Sequence, residues 1–153
     1  MVSAVDLPDG DRRVAWALTT GGAPIVAGEH SLVLPGEQPL AWWEVARVTW
    51  SRPHMTVVEV AEIEGESRRW ELQLAPDDGG LPEVVRARVT ASVAWSSSYQ
   101  LTGGGSVRMV GRRRPDQETL HWQLVFERAQ DHQDVGRRVQ AQQLLDQARR
   151  TIG

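Results

Sequence analysis

Residues 41–62, AWWEVARVTWSRPHMTVVEVAE, carry the pattern that decides the fold of this chain. Apolar and polar side chains alternate over residues 46–50, which is typical of a strand with one buried face. Pro53 lacks the N–H that a central strand needs, so we expect it to end this strand in a turn. The β-rich run over residues 55–62 then predicts the second strand of a hairpin.

Further strand patterns lie on both sides of this hairpin. Residues 13–19 and 68–74 alternate between apolar and polar side chains, and short turns rich in Gly and Pro connect the segments. Such spacing predicts an antiparallel meander in the first half of the chain. The side chains expected to face the core in these two strands are Val14, Trp16, Leu18, Trp70, Leu72 and Leu74.

The apolar period changes after residue 80. Leu81, Val85, Val89 and Val93 recur every fourth position, which predicts a short amphipathic helix over residues 81–93. Strand patterns return over residues 95–101, 107–112 and 120–127, and the last of these places Trp122 inward. A final helix is expected after Asp134, its N-cap, through Arg149 or Arg150. The apolar side of that helix is expected to hold Val135, Val139, Leu145, Ala148 and Ile152.

Composition places the chain among small globular proteins. It has 153 residues, no Cys, a net charge of −3, and only Arg among its 17 Lys and Arg positions. We expect a flexible segment over residues 1–11 and a single domain over residues 12–153. The chain shows no apolar run long enough for a transmembrane segment and no signal-peptide pattern, so a cytoplasmic location is expected.

The order of these elements is similar to the pleckstrin-homology-like (PH-like) split barrel. The segment WWEVARV, residues 42–48, resembles the aromatic, acidic and aliphatic entry into a strand found in bacterial members of that superfold. Over residues 12–152 the chain also resembles an uncharacterised PH-like domain family of high-GC Gram-positive bacteria. The resemblance implies an α+β, PH-like split barrel of about seven to eight antiparallel strands, with an inserted short helix and a C-terminal capping helix. It implies no activity.

Catalytic patterns are weak in this sequence. The four His residues do not form an HExxH motif. Residues 103–105, three glycines, lack the Lys and the following Ser or Thr of a phosphate-binding P-loop, and a hairpin turn is the expected structure. Residues 96–98, three serines, lack a nucleophile elbow. We therefore expect a protein that is not an enzyme, with no metal and no cofactor.

Two tryptophans form the first candidate binding site. Trp42 and Trp43 are adjacent, so one strand or turn cannot easily bury both, although both could cover one end of a barrel. An exposed Trp beside Arg47 would be a typical anchor for a protein partner, since Trp and Arg dominate interface hot spots. We therefore expect a non-catalytic interaction module that binds a protein partner, or itself, through an aromatic or strand-edge surface.

An arginine-rich hairpin forms the alternative site. Arg108, Arg112, Arg113 and Arg114 could gather guanidinium groups suited to an anionic ligand, a phospholipid headgroup or a nucleic acid. Charged hairpin tips also serve to prevent edge-to-edge aggregation. A pI near 5.8 argues against a dedicated duplex-binding domain.

Overall fold

The computed structural model describes residues 7, 10–61, 63, 67–115 and 117–152, which form an α+β fold with three antiparallel sheets and two α-helices. These residues cluster into two compact units. Unit 1 comprises the described residues up to Glu59 together with Arg68–Ala91, and unit 2 comprises those of 60–67 and those from Ser92 onward. The single domain over residues 12–153 stays a prediction. Residues 1–6, 8 and 9 of the segment expected to be flexible lie outside the described residues.

Unit 1 contains two antiparallel sheets and one helix. Its elements are β1 (Arg13–Leu18), β2 (Pro24–Gly28), β3 (Ser31–Val33), β4 (Leu40–Ala41), β5 (Val45–Ser51), β6 (His54–Glu59), β7 (Arg69–Gln73) and α1 (Leu81–Ala91). The sheet orders are β1-β2-β3-β4 and β5-β6-β7. The hairpin predicted around Pro53 is confirmed, since β5 pairs with β6 from Val45 to Ser51. The Ala75 N–H donates to the Leu18 carbonyl oxygen at 2.9 Å and joins the ends of β7 and β1.

The helix α1 covers the core of unit 1 as its spacing predicts. Leu81, Val85 and Val89 are buried in one apolar cluster with residues from both sheets. The helix lies against β1, β2 and β5. The i, i+4 stripe therefore identified the buried face of this helix as far as Val89. Val93 does not continue it, because the helix ends at Ala91 and a strand begins at Val93.

The buried face of β1 is opposite to the predicted one. Ala15 and Ala17 are 8% and 1% exposed and face the core, whereas Val14 and Trp16 are 42% and 41% exposed. Small side chains on the inner face leave room for α1, which contacts this strand. Trp16 instead lies opposite Val26 on the outer face of the sheet.

Asp11 fastens the chain before β1 to the turn between β2 and β3. Its carboxylate accepts hydrogen bonds from the Ser31 hydroxyl and from the backbone N–H of His30 at 3.0 Å. Partial burial by itself would raise the pKa of Asp11, but the hydrogen bonds from Ser31, His30 and Arg12 outweigh it and hold the pKa below its usual value. A Cβ on Gly28 would lie 2.7 Å from the carboxylate oxygens, so glycine makes room for this contact.

The change Asp11→Asn is expected to lower the free energy of unfolding by about 1–2 kcal/mol at neutral pH, because charge-assisted hydrogen bonds are lost. A lowered folded-state pKa contributes stability above the unfolded value and loses it as the pH falls through the folded value. The difference between the two proteins should therefore shrink below about pH 4. Urea denaturation across pH measures this, with the exposed Asp146→Asn as control. A pH-independent difference would contradict the expectation.

Unit 2 is a three-stranded antiparallel sheet with one long helix. Its elements are β8 (Val93–Gln100), β9 (Ser106–Arg112), β10 (His121–Phe126) and α2 (Val135–Ile152), and the sheet order is β10-β9-β8. One face of the sheet packs with α2 around a buried cluster that includes Met109, Trp122, Leu124 and Leu145. Trp122 is therefore in the core, as predicted.

The loop between β8 and β9 is the predicted hairpin turn. Arg137 of α2 holds it by donating to the carbonyl oxygens of Gly103 at 2.9 Å and Gly104 at 3.1 Å. Gly105 has a φ of +79°, and a Cβ there would lie 2.9 Å from an Asp131 carboxylate oxygen, so a side chain at this position would be strained.

The helix α2 begins as predicted, and part of its predicted apolar side, Leu145 and Ala148, faces the core. The Asp134 carboxylate accepts a hydrogen bond from the Arg137 N–H at 2.9 Å, which confirms Asp134 as the N-cap. The buried positions are Ala141, Leu145 and Ala148. Val135, Val139 and Ile152 are exposed, contrary to the predicted stripe. Val135 and Val139 lie about 80° or more around the helix from Leu145, whereas Ile152 lies on the same side as Ala148 but in the last, exposed turn.

The described residues form ten strands, more than the seven or eight expected. Three of them, β2, β3 and β4, lie within residues 24–41. The shortest is β4, whose residues Leu40 and Ala41 pair with Leu32 and Ser31 of β3. The sheets of the described residues stay open, so the split barrel is a hypothesis taken up below.

Candidate functional site

The tryptophan pair divides between core and surface. Trp42 and Trp43 lie in a short 3₁₀ turn, Trp42–Glu44, that joins β4 to β5. Trp42 is 7% exposed and belongs to the core of unit 1, where its indole N–H donates to the Gly28 carbonyl oxygen at 3.1 Å. Trp43 is half-buried. A partner at this surface would therefore contact Trp43 and not Trp42.

Arg47 follows Trp43 along the chain and lies in the strand β5. Its side chain is exposed on β5, next to the irregular register between Val45 and Arg47. The structure thus places Trp43 and Arg47 on adjoining elements of unit 1. The arginine-rich hairpin belongs to unit 2.

The arginines of β9 do not share one environment. Arg112 is 3% exposed and donates to the Ser92 hydroxyl at 2.7 Å. Its burial, and secondarily the positive charge of Arg108, lower the pKa of Arg112 to about 10. Arg108 itself is exposed. The Arg112 side chain therefore lies in the interior of unit 2.

Arg113 and Arg114 donate hydrogen bonds to the backbone around their own hairpin. The Arg113 guanidinium donates to the Val93 carbonyl oxygen at 3.2 Å. The Arg114 guanidinium donates to the Thr119 hydroxyl at 2.7 Å and closes the turn before β10. An anion bound at these groups would compete with those contacts.

The outer strand β8 is a long edge strand without charged side chains. It is eight residues long and pairs with β9 on one side. In the sheet order formed by the described residues, no strand lies on its other side. Every residue of VAWSSSYQ is uncharged, and its one register irregularity lies near the start, between Val93 and Trp95.

Natural proteins usually protect such edges with charges, prolines, bulges or short strands. The outer strands β1, β5 and β7 follow this rule, since each carries at least one charged side chain: Arg13 in β1, Arg47 in β5, and Arg69 and Glu71 in β7. The edge strand β4 has only two residues. On β10, the outer side meets Ile63 through a bridge at Leu124.

The sequence predicts a strand over residues 95–101 but does not identify it as an edge, and it does not identify Val14 and Trp16 as exposed. The uncharged run over residues 93–100 is visible in the sequence, but its position at a sheet edge depends on which strands pair. The alternation over residues 13–19 predicts Val14 and Trp16 in the core, whereas the structure places both on the exposed face of β1. Both features thus come from tertiary structure.

The described residues contain no cluster of three or more His, Asp or Glu side chains that could hold a metal ion. None of their helices is both long and apolar enough to cross a membrane. Comparison of the chain with protein-family models, curated proteins and solved structures found no match.

Proposed function

We propose that this protein is a non-catalytic interaction module that binds a protein partner by adding a strand to the edge of β8. The observation that carries the proposal is the long, uncharged outer strand of unit 2. Exposed edges bind extended segments through main-chain hydrogen bonds, and neighbouring side chains supply specificity. The strand edge replaces the tryptophan pair as the proposed surface, since Trp42 lies in the core.

The direction of the backbone groups of β8 supports an accessible edge. The Leu101 N–H donates to the Gly105 carbonyl oxygen at 3.0 Å, so Leu101 faces β9. Because successive residues of a strand face opposite neighbours, Tyr99 and Ser97 also face β9, whereas Ser98 and Ser96 face outward. The side chains of Ser96 and Ser98 are exposed.

Ser98→Pro tests this function while keeping the hydrogen bonds between β8 and β9. Proline at residue 98 removes an outward N–H while leaving the bonds to β9, which is how proline is tolerated on edge strands. Ser98→Thr is the matched control, because it keeps the N–H and favours strand structure. We expect baits of the wild type and Ser98→Thr to retain the same proteins from native cells after a high-salt wash. Ser98→Pro should retain at least about tenfold less, equivalent to about 1.4 kcal/mol of binding free energy.

Circular dichroism and thermal denaturation should show that the Ser98→Pro protein is folded before it is compared. Equal retention by the folded Ser98→Pro bait would refute binding at this edge.

The cytoplasmic location stays part of the proposal.

The order of elements supports a PH-like arrangement for unit 1 by itself. Four strands, then three strands, then the helix α1 follow one another over residues 13–91. In this proposal α1 takes the capping role that the resemblance implied for the C-terminal helix, and unit 2 is an addition to the PH-like part.

The anionic-ligand alternative has less support. A phosphate-binding hairpin would present several free guanidinium groups, but Arg112 is buried and Arg114 closes its own turn. Binding to anionic vesicles or RNA that falls steeply with salt would revive it.

A further inference from the structure

We infer that the strand added to β8 is β8 of a second copy of this chain, paired antiparallel about a two-fold axis at Ser97. The inference rests on the proposed function and names its partner. Symmetric dimers built on one self-complementary patch are the commonest protein oligomers. Such pairing would join two three-stranded sheets into one sheet with twice as many strands.

The hydrogen-bond pattern restricts where the two-fold axis can lie. Ser96 and Ser98 direct their backbone N–H and C=O groups outward, and Ser97 directs its own toward β9. The Glu127 N–H donates to the Ser106 carbonyl oxygen at 2.9 Å, so Ser106 faces β10 and its partner Gln100 faces outward too. Outward residues must pair with outward residues, so the axis passes through a residue and not between two.

An axis at Ser97 satisfies this condition over most of the strand. Ser96 then lies opposite Ser98 of the second copy, and each such pair exchanges two main-chain hydrogen bonds. Ser97 lies opposite its own counterpart in a non-hydrogen-bonded pair. Only the outermost pair, Gln100 with Ala94 of the second copy, then reaches the irregular register between Val93 and Trp95, whereas an axis at Ser96 would already place Ser98 opposite Ala94.

The same register makes the side chains complementary. Trp95 comes opposite Tyr99 of the second copy, on the face covered by α2, and this occurs twice because of the symmetry. Both rings are half-buried at the margin of the unit 2 core, and Trp95 already contacts Trp122 edge-to-face with ring centroids 5.5 Å apart. Aromatic cross-strand pairs and paired hydroxyl groups both stabilise antiparallel sheets. An axis at Ser98 would pair Tyr99 with Ser97 and lose these aromatic pairs.

Charge also favours a second copy as the occupant. A symmetric antiparallel pair places each residue type near the same residue types, so a charged edge would bring like charges together. β8 carries no charged residue from Val93 to Gln100. Self-pairing of this edge therefore meets no electrostatic opposition along the strand.

Single cysteines test the register directly, because the natural chain has none. In the proposed pair the two Cα atoms of residue 97 are about 4.5 Å apart, which is within the range for a disulfide. The two Cα atoms of residue 98 are about 8 Å apart, from strand spacing and rise, which is too far. Under diamide, we expect Ser97→Cys to form a disulfide dimer of twice the 17.0 kDa chain mass. It should do so at least severalfold faster than Ser98→Cys.

Sedimentation equilibrium of the unmodified protein provides a second measurement that needs no cysteine. The average mass should rise with concentration toward the dimer, and Ser98→Pro should shift it toward the monomer while Ser98→Thr does not. Equal cross-linking of the two cysteine variants, a dimer insensitive to Ser98→Pro, or a monomer at every concentration would overturn the inference.

These results also separate the inference from the function on which it rests. A monomer that still captures a different protein in a Ser98→Pro-sensitive manner would overturn self-pairing and leave strand addition standing. A monomer with no Ser98→Pro-sensitive capture would remove both.

Discussion

Trp42→Ala is expected to lower the free energy of unfolding by about 3–5 kcal/mol, the usual cost of deleting a large buried aromatic side chain. Trp42 is 7% exposed and contacts the core of unit 1, and its indole N–H donates to the Gly28 carbonyl oxygen. The cavity, the lost apolar contacts and the unpaired carbonyl all act in the same direction. Urea denaturation followed by circular dichroism measures the change.

Two control variants separate these contributions. Trp42→Phe keeps an aromatic ring but removes the N–H donor, so it should cost about 1 kcal/mol for the hydrogen bond plus a smaller packing loss. Trp16→Ala should cost less than Trp42→Ala, since Trp16 is 41% exposed. A Trp42→Ala protein as stable as the wild type would place the indole outside the core. It would also restore Trp42 as a candidate contact for a partner.

Leu145→Ala is expected to lower the free energy of unfolding by about 2–5 kcal/mol. Leu145 is fully buried at the centre of the unit 2 core, where α2 packs on β9 and β10. The range reflects how far the surrounding side chains can move into the cavity. Because Trp95 and Tyr99 pack against the same core, Leu145→Ala should also loosen β8.

Val135→Ala and Val139→Ala are the matched controls on the same helix. Val135 is 78% exposed and Val139 is 51% exposed, so each change should alter the free energy of unfolding by less than about 0.5 kcal/mol. Alanine has the higher helix propensity, which favours a small gain. If Val139→Ala destabilised the protein as much as Leu145→Ala, Val139 would belong to the buried side together with Leu145, as the sequence predicts.

These two core positions affect how binding experiments are interpreted. A partner lost from Trp42→Ala or Leu145→Ala would reflect damage to the fold and would not identify a contact. Ser98→Pro avoids this difficulty, because the N–H that it removes points away from β9. Loss of a partner in a folded Ser98→Pro protein therefore reports on the edge itself.

Local patterns in the sequence were sufficient to predict most elements. The hairpin around Pro53, the stripe of α1 through Leu81, Val85 and Val89, and the N-cap at Asp134 are all confirmed. Each depends on residues a few positions apart, whose preferences act before distant parts of the chain meet. The PH-like family resemblance and the binding function stay proposals.

The sequence by itself determined where most strands and both helices lie along the chain, because periodicity and caps are local properties. It did not determine the number of strands, which is ten in the described residues and not the seven or eight expected. Only tertiary structure decided which face of β1 is buried, because alternation leaves two faces and the approach of α1 selects the one with Ala15 and Ala17. It likewise decided that Trp42 is inside and that β8 is an outer strand. A strand becomes an edge through the pairing of distant residues, and residues 93–100 carry no local signal of where that pairing stops.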